Sequence, residues 1–213
     1  MSTARFITLE GIEGAGKSTI AQYVHHWLSA QGIRAELTRE PGGTALAERV
    51  RDIVLNCGPE HIAPAAETLL MFAARGIHLD NRIRPALAAG TWIVCDRFTD
   101  ATRAYQGGGR GIDAALIETL AASVHGKLWP DCTLLLDLPV PLGLARARAR
   151  RAAADRFENE REPFFERVRA AYLELARREP ARIHVIDASR PLDAVQAQVA
   201  EVLARLLERK AET

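Results

Sequence analysis

The chain reads Gly11-Ile12-Glu13-Gly14-Ala15-Gly16-Lys17-Ser18 directly after the apolar stretch Phe6–Glu10. It matches the pattern G-x-x-x-x-G-K-[ST], in which a glycine-rich turn between a strand and a helix points backbone N–H groups at phosphate oxygens. The N-terminus of the helix adds about half a positive charge. Lys17 is expected to reach the β- and γ-phosphates of a nucleotide, and Ser18 offers a hydroxyl to Mg²⁺. We therefore expect the segment Gly11–Thr19 to bind a nucleoside triphosphate.

A tight turn without a ligand is the alternative interpretation of this stretch. It is disfavoured because Lys17 is one of only three lysines in a chain whose other basic residues are arginines, so composition does not explain a lysine here. Motor ATPases, GTPases and small-molecule kinases share such loops, and the lack of an N-K-x-D stretch argues against a GTPase.

Short apolar stretches alternate with longer helical ones along the chain. Strands are predicted at Phe6–Glu10, Arg34–Arg39, Trp92–Asp96, Thr133–Asp137 and Ile183–Asp187. Helices are predicted at 17–32, 44–55, 64–90, 113–124, 141–151, 163–179 and 191–208, with Pro85 bending the third. The third and fourth strands are continuously apolar, which is typical of strands covered on both faces. The pattern predicts an α/β fold, a three-layer α/β/α sandwich with a five-stranded parallel sheet and the P-loop NTPase topology, in one domain over 1–213.

The composition excludes several classes of protein. With 28 basic and 27 acidic residues the net charge is +1, which argues against a general nucleic-acid or membrane-surface binder. Apolar runs are far shorter than the ~18 residues of a membrane span, and the first residues show no secretory pattern. Cys57, Cys95 and Cys132 form no C-x-x-C pair, so we expect reduced thiols in a cytoplasmic protein.

Polar residues follow three of the strands, where ligands of open α/β sheets lie. Asp96 is a candidate to hold Mg²⁺ through water, with a loop-capping role as the alternative. Arg97 is a candidate to bridge two phosphoryl groups. Asp137 is placed similarly, but the prolines after it favour a structural role.

Taken together, these segments resemble the bacterial thymidylate kinases nearly end to end. The segments that carry the resemblance are Glu10–Ser18, Thr38–Thr44, Ala73–Arg75, Asp96–Phe98 and Tyr105–Gly111. The resemblance implies the reaction ATP + dTMP → ADP + dTDP, a step of dTTP biosynthesis that uses Mg²⁺. It also implies a cytoplasmic enzyme that is usually a homodimer, with ATP and dTMP rather than nucleic acid or membrane as partners.

The resemblance assigns roles residue by residue. Glu13 is implied to lie near the acceptor sugar and its phosphate, Arg75 to recognise thymine and Arg97 to contact phosphates. Tyr105 is implied to crowd the 2′ position, and Gln106 to lie near the base. The resemblance adds further acceptor-side residues, which are Arg39, Pro41, Arg51 and Thr102.

One position departs from the family pattern. Many relatives have Phe four residues before the base-reading arginine, whereas this chain has Met71 there and Phe72 next to it. Spacing of i and i+4 places Met71 on the helix face of Arg75. Phe72, at i+3, stays an equal candidate to stack on the base, and core packing is the third interpretation.

Arginines are concentrated in the segment 146–161, whose composition fits a mobile cover over the donor phosphates. The resemblance places a catalytic arginine in this lid, and the candidates are Arg151 and Arg156. A nucleic-acid patch is the rival interpretation, disfavoured because no aromatic residues are interleaved.

Two other functions remain open from the residues alone. One is a kinase of another nucleoside or nucleoside monophosphate, and the other is a P-loop motor or regulatory ATPase stimulated by nucleic acid or protein. An acceptor phosphate is mostly dianionic at pH 7, so a monophosphate kinase needs no general base.

Overall fold

A five-stranded parallel sheet forms the centre of the described part of the chain, which is residues 4–149, 157 and 160–211 of a computed structural model. The strands are β1 (Phe6–Glu10), β2 (Ala35–Arg39), β3 (Trp92–Asp96), β4 (Cys132–Asp137) and β5 (Ile183–Asp187). Their order is β2-β3-β1-β4-β5, and all neighbours are parallel. The predicted α/β sandwich with the P-loop NTPase topology is confirmed, and each strand begins within one residue of its prediction.

Helices connect the strands. They are α1 (Lys17–Ala30), α2 (Ala45–Leu55), α3 (Pro64–His78), α4 (Arg84–Ala88), α5 (Thr99–Thr102), α6 (Ala114–Val124), α7 (Val140–Ala149), α8 (Glu162–Arg178) and α9 (Leu192–Ala211). None of the helices within this described part of the chain is long and apolar enough to cross a membrane. From β1 the chain continues to β2 at one edge of the sheet and returns to β3 beside β1, whereas β4 lies on the other side of β1. Such a reversal of strand order opens a crevice at the carboxyl ends of the strands.

Two helical segments have π geometry. The first, Leu79–Ile83, joins α3 to α4 just before Pro85, so the predicted helix over 64–90 continues but changes its hydrogen bonding there. The second, Arg103–Gly109, follows α5. Neither α5 nor this second segment is predicted from the sequence, because three consecutive glycines are typical of a loop. A side chain at Gly109 would collide with the ring of Phe164, so glycine there lets α8 approach closely.

Alternate residues of the central strands face opposite sides of the sheet. Ile7, Leu9 and Val94 are fully buried in the cluster that includes residues of α1 and α9. Phe6, Ile93 and Cys95 belong to a second cluster, with residues of the π segment before Pro85. Burial on both faces explains the continuous apolar runs in these strands. The loop that follows β1 is thereby held at the middle of the sheet edge.

Candidate active site

The loop after β1 curls as its glycines predict. Gly11, Gly14 and Gly16 have φ angles of 135°, 73° and 89°, in the region that glycine adopts without steric cost. A side chain at Gly14 would overlap the backbone carbonyl of Gly143. Helix α1 begins at Lys17, immediately after the last of these glycines. The loop therefore presents a helix N-terminus and a lysine to the same space.

Lys17 is held inside the loop. Its Nζ donates hydrogen bonds to the carbonyls of Gly11 and Ile12 at 3.1 and 3.0 Å, and lies 3.7 Å from a carboxylate oxygen of Glu13. Burial, followed by the nearby charge of Arg97, lowers the pKa of Lys17, while Glu13 acts in the opposite direction. Glu13 thus stabilises the charged form of Lys17 inside the loop, where the positive charge of Arg97 repels it.

Arg97 connects the loop to the rest of the crevice. Its Nη1 donates to the carbonyl of Gly11 at 3.0 Å and to the Tyr172 hydroxyl at 3.3 Å, and its Nη2 donates to Glu13 and to the Tyr105 hydroxyl. Burial lowers the pKa of Arg97, but the charge of Glu13 and smaller contributions from Tyr105, Tyr172 and Asp96 together outweigh burial and raise the net pKa. The backbone of Arg97 has φ 74°, a left-handed conformation that is rare outside glycine.

A buried carboxyl group lies behind Arg97. Glu10, at the end of β1, accepts from the backbone N–H of Phe98 at 2.7 Å and from the Tyr172 hydroxyl at 2.6 Å. Burial, and then the charge of Asp100, raise the pKa of Glu10 to about 8. Burial also raises the pKa of Tyr172, so that it remains a hydrogen-bond donor. The chain of contacts from Glu10 through Tyr172 to Arg97 joins β1, α8 and the loop after β3.

Ser18 and Asp96 approach each other beside the loop. The Ser18 hydroxyl donates to Oδ2 of Asp96 at 3.5 Å, a long hydrogen bond. Oδ1 of Asp96 is buried, and no residue in the described part of the chain forms a hydrogen bond with it. No group of three or more His, Cys, Asp or Glu residues among the described ones could hold a metal. One carboxylate and one hydroxyl fit Mg²⁺, which takes few protein ligands and completes its shell with water and substrate phosphates.

Arg75 is buried at the other end of the crevice and is 3% exposed. Its Nε donates to Glu40 at 2.7 Å and its Nη2 donates to the Thr102 hydroxyl at 3.2 Å. Its Nη1 is buried and has no hydrogen-bond partner among the described residues. Glu40 also accepts from Nδ1 of His78 at 3.1 Å. Two nitrogens of the guanidinium are therefore fixed, and the third needs an acceptor.

The neighbours of Arg75 differ in where they point. Met71 lines the crevice, whereas Phe72 does not and is packed against Ile117 and Ala121. The Phe72 ring centroid lies 4.8 Å from the Arg75 guanidinium carbon. Gln106 lines the crevice and donates from Nε2 to Glu67 at 2.7 Å. The structure thus brings Met71, and not Phe72, to the surface that a ligand can touch.

Two arginines lie near the mouth of the crevice. Nη1 of Arg51 donates to the carbonyl of Pro41 at 2.9 Å, which fixes the loop after β2. Arg39 is half-exposed and pairs with Glu48 at 2.9 Å.

Asp137, at the end of β4, pairs through both oxygens with Arg169 at 2.7 and 2.9 Å. That bidentate pair is the structural role that the sequence favoured.

The crevice is one cavity of about 490 Å³. Of the predicted site residues it is lined by Glu13, Gly14, Gly16, Lys17, Ser18, Thr19, Arg39, Pro41, Arg51, Met71, Arg75, Asp96, Arg97, Thr102, Tyr105 and Gln106. It is not lined by Gly11, Ile12, Ala15 or Phe72. Arg151 and Arg156 lie outside the described residues. Of the described side chains that line the cavity, six are basic and three are acidic, so its lining is far more positive than the chain as a whole.

Sequence reasoning did not assign every residue that forms the site. Those on the cavity wall are Glu40, Leu55, Phe98, Ala101, Arg146 and Phe157, and those behind it are Glu10, Glu67 and Tyr172. One signal could have found Glu67, because Glu67, Met71 and Arg75 repeat every four residues on one face of α3. No local signal links Tyr172 to Glu10, since 162 positions separate them.

A curled amide loop at the centre of a parallel sheet, with a lysine and a positive cavity beside it, defines a P-loop nucleotide-binding protein. A family model for thymidylate kinase matches residues 9–199. Two similar proteins, both named thymidylate kinase, come from Alkalilimnicola ehrlichii and Chromohalobacter salexigens. The first is 56% identical over 98% of this chain and 96% of the relative. The second is 57% identical over 99% of each.

A solved structure agrees with these matches. The crystal structure of thymidylate kinase from Ehrlichia chaffeensis has a TM-score of 0.74 and 32% sequence identity, covering 94% of this chain and 98% of that one. The chain belongs to the thymidylate kinase family, as the resemblance in its sequence indicated.

The raised pKa of Glu10 gives a prediction about stability. Between pH 4.5 and about 8 the folded state keeps a proton that the unfolded state releases, so the free energy of unfolding should fall as the pH rises through this range. Glu10→Gln keeps the shape and cannot ionise, so denaturant unfolding should show the variant gaining stability relative to the wild type from pH 5 to pH 8.

The same substitution at Glu118, whose side chain is half-exposed, controls for the loss of one carboxylate. Equal pH dependence of the wild type and Glu10→Gln would contradict the assignment of a proton to Glu10.

Proposed function

We propose that the cavity transfers the γ-phosphoryl group of ATP to the phosphate of dTMP in line, without a general base. Phosphorylation of dTMP to dTDP is the reaction of the family to which the chain belongs. The observation that carries the proposal is that one cavity contains the phosphate loop at one end and Arg75 at the other, with one Arg75 nitrogen that no described residue satisfies. This arrangement suits the triphosphate of ATP at the loop and the phosphate of dTMP facing it, with the thymine base near Arg75.

Positioning and positive charge are the main requirements of this reaction. The acceptor phosphate has a second pKa near ~6 and is mostly dianionic at neutral pH, so it needs no base to become a nucleophile. The difficulty is to bring two polyanions together. Loop N–H groups, Lys17 and Arg97 supply that charge, and Glu13 holds both cations beside the point of transfer.

Ser18 and Asp96 are the residues that would hold Mg²⁺, Ser18 directly and Asp96 through water. The ion would neutralise charge on the β- and γ-phosphate oxygens. The buried Oδ1 of Asp96, which has no hydrogen-bond partner within the described part of the chain, supports this role, since a buried acceptor without a partner is costly.

The acceptor end of the cavity suits a nucleoside monophosphate. Nη1 of Arg75 would donate to a carbonyl of thymine, and Met71 would lie against the base. Tyr105 would crowd the 2′ position of the sugar. The guanidinium carbon of Arg97 lies 4.6 Å from the centroid of the Tyr105 ring and holds that ring in place. Glu13, Arg39, Pro41, Arg51, Thr102 and Gln106 are proposed to complete the acceptor site.

A lid arginine, Arg151 or Arg156, is proposed to act on the transferring group. Both lie outside the described residues, so the support comes from the family resemblance of the arginine-rich segment 146–161. Phe157, within that segment, lines the cavity and packs edge-on against Tyr105, with centroids 5.9 Å apart. The lid would also exclude water and limit hydrolysis of ATP.

A homodimer in the cytoplasm is the proposed state of the protein. Four of the six exposed large apolar side chains among the described residues lie on α2, α3 and α6, namely Leu46, Ile53, Leu69 and Leu116. Helix α3 packs against both α2 and α6, so the three helices form one surface. Such a surface is suited to a second copy of the chain.

Free thiols at Cys57, Cys95 and Cys132 are compatible with a reducing compartment.

The function is tested by ADP release. With purified chain, ATP and Mg²⁺, the rate should depend on dTMP and exceed that with each other nucleoside monophosphate. Lys17→Ala should lower kcat by about a thousandfold, because it removes a cation that stabilises the transferring charge. The control is Lys127→Ala, which changes an exposed lysine outside the cavity. Near-normal transfer by folded Lys17→Ala would contradict the loop assignment.

Arg75→Ala tests the acceptor site. It removes a charged hydrogen-bond donor from the base, so the KM for dTMP should rise roughly 10–100-fold while the KM for ATP changes little. Steady-state kinetics with each substrate varied in turn measures the two effects. Arg84→Ala, at an exposed arginine of α4, should change neither value. Equal effects of Arg75→Ala on both substrates would place Arg75 outside the base site.

The proposed dimer is tested by sedimentation. The wild type should sediment at twice the chain mass of 23.3 kDa, and Leu69→Glu should shift it toward the monomer by placing a charge in the apolar surface. Leu192→Glu, at an equally exposed leucine of α9, should leave the dimer intact. A monomeric wild type would overturn the proposal.

A further inference from the structure

Gln106 and Glu67 form a buried pair behind the acceptor end of the cavity. Glu67 is fully buried and Gln106 is 2% exposed. Nε2 of Gln106 donates to Oε1 of Glu67 at 2.7 Å. Glu67 also forms an ion pair with Arg110, whose Nε lies 3.5 Å from Oε1 of Glu67. A carboxylate can only accept hydrogen bonds, whereas an amide can either donate or accept.

The orientation of the Gln106 amide follows from this chemistry. Because Glu67 can only accept, the amide must turn its NH₂ group toward Glu67. The oxygen Oε1 is then the amide atom left for the cavity, which Gln106 lines and Glu67 does not.

The two groups at this end of the cavity therefore have opposite polarity. Arg75 offers a donor, its Nη1, which no described residue engages in a hydrogen bond. Gln106 offers an acceptor, its Oε1. The donor cannot reverse, since guanidinium has no acceptor. The acceptor is fixed only as long as Glu67 holds the NH₂ group of Gln106.

We propose that Glu67 is a positioning residue that fixes the hydrogen-bond polarity of Gln106 and so selects a 4-oxo over a 4-amino pyrimidine. This inference rests on the proposed function. A 4-oxo pyrimidine presents a carbonyl acceptor beside a ring N–H donor, which matches Arg75 and Gln106. Cytosine presents an amine donor beside a ring nitrogen acceptor, so both contacts would be mismatched. A site built to form hydrogen bonds rejects an analogue that cannot form them far more strongly than an apolar pocket does.

Glu67→Gln tests the inference directly. A glutamine at this position can accept or donate, so the amide of Gln106 becomes free to turn and accommodate the ring nitrogen of cytosine. The ratio of kcat/KM for dTMP to that for dCMP should fall by about tenfold, the effect of one hydrogen bond of ~1.4 kcal/mol. The ratio for dTMP to dUMP should stay constant, because the two bases present the same hydrogen-bonding groups. Ratios are unaffected by a smaller folded fraction.

Two further variants separate positioning from a general structural role. Glu67→Asp keeps an acceptor-only carboxylate and should preserve discrimination against dCMP. Gln106→Leu should lower the dTMP/dCMP ratio, and adding Glu67→Gln to Gln106→Leu should lower it no further, because Glu67 acts through Gln106. Glu118→Gln, which removes an exposed carboxylate outside the cavity, is the matched control and should leave both ratios unchanged.

The outcomes are distinct. An unchanged dTMP/dCMP ratio in folded Glu67→Gln overturns the inference, as does a further loss in the double variant. Should Glu67→Gln not fold, Glu67→Met, which removes the acceptor and is apolar, gives the same comparison. A wild type that releases no ADP with dTMP contradicts the proposed function instead.

Discussion

The cavity depends on the contacts of one guanidinium group. Arg97 leaves β3 with a left-handed backbone and reaches the carbonyl of Gly11 and the hydroxyls of Tyr105 and Tyr172. These partners come from the phosphate loop, the second π segment and α8, which are far apart in the sequence. A left-handed conformation costs a residue other than glycine about 1–2 kcal/mol. The hydrogen bonds that converge on Arg97 offset this cost and fix three segments around one positive charge.

A second constraint is that functional polar groups of the cavity are backed by carboxylates. Glu13 contacts both Lys17 and Arg97, Glu40 contacts Arg75, and Glu67 contacts Gln106. Cations gathered in a half-buried space repel each other and lose hydration, and paired carboxylates offset part of that cost. The same pairs fix the direction of each donor before substrate binds, so little reorganisation is needed during the reaction. The remaining excess of positive charge is available to two polyanionic substrates.

The sequence predicts the strands and the phosphate loop because their signals are local, namely apolar runs and fixed glycine spacing. Polar residues after strands indicate Asp96 and Arg97 in the same way, whereas the acceptor end of the cavity is assigned by the family resemblance. The rest depends on packing between distant segments. The glycine-rich composition of 103–109 indicates a loop, yet close packing of Gly108 and Gly109 on α8 makes it helical. Helical spacing leaves Met71 and Phe72 as equal candidates to stack on the base. Only the position of α6, against which Phe72 packs, shows that Phe72 belongs to the core. Tyr172 reaches Glu10 through the fold alone.

The protonation of Glu10 shows how the sheet and the site are coupled. Glu10 ends the central strand, and the burial that stabilises the strand also raises the pKa of this carboxyl group. A neutral Glu10 still accepts from Phe98, so the loop after β3 keeps its geometry. An ionised Glu10 would place a further carboxylate near Arg97, whose guanidinium already contacts Glu13, and would weaken the field of Arg97 toward a phosphate. Keeping the proton therefore leaves more of the Arg97 charge directed into the cavity, where the two anions must meet.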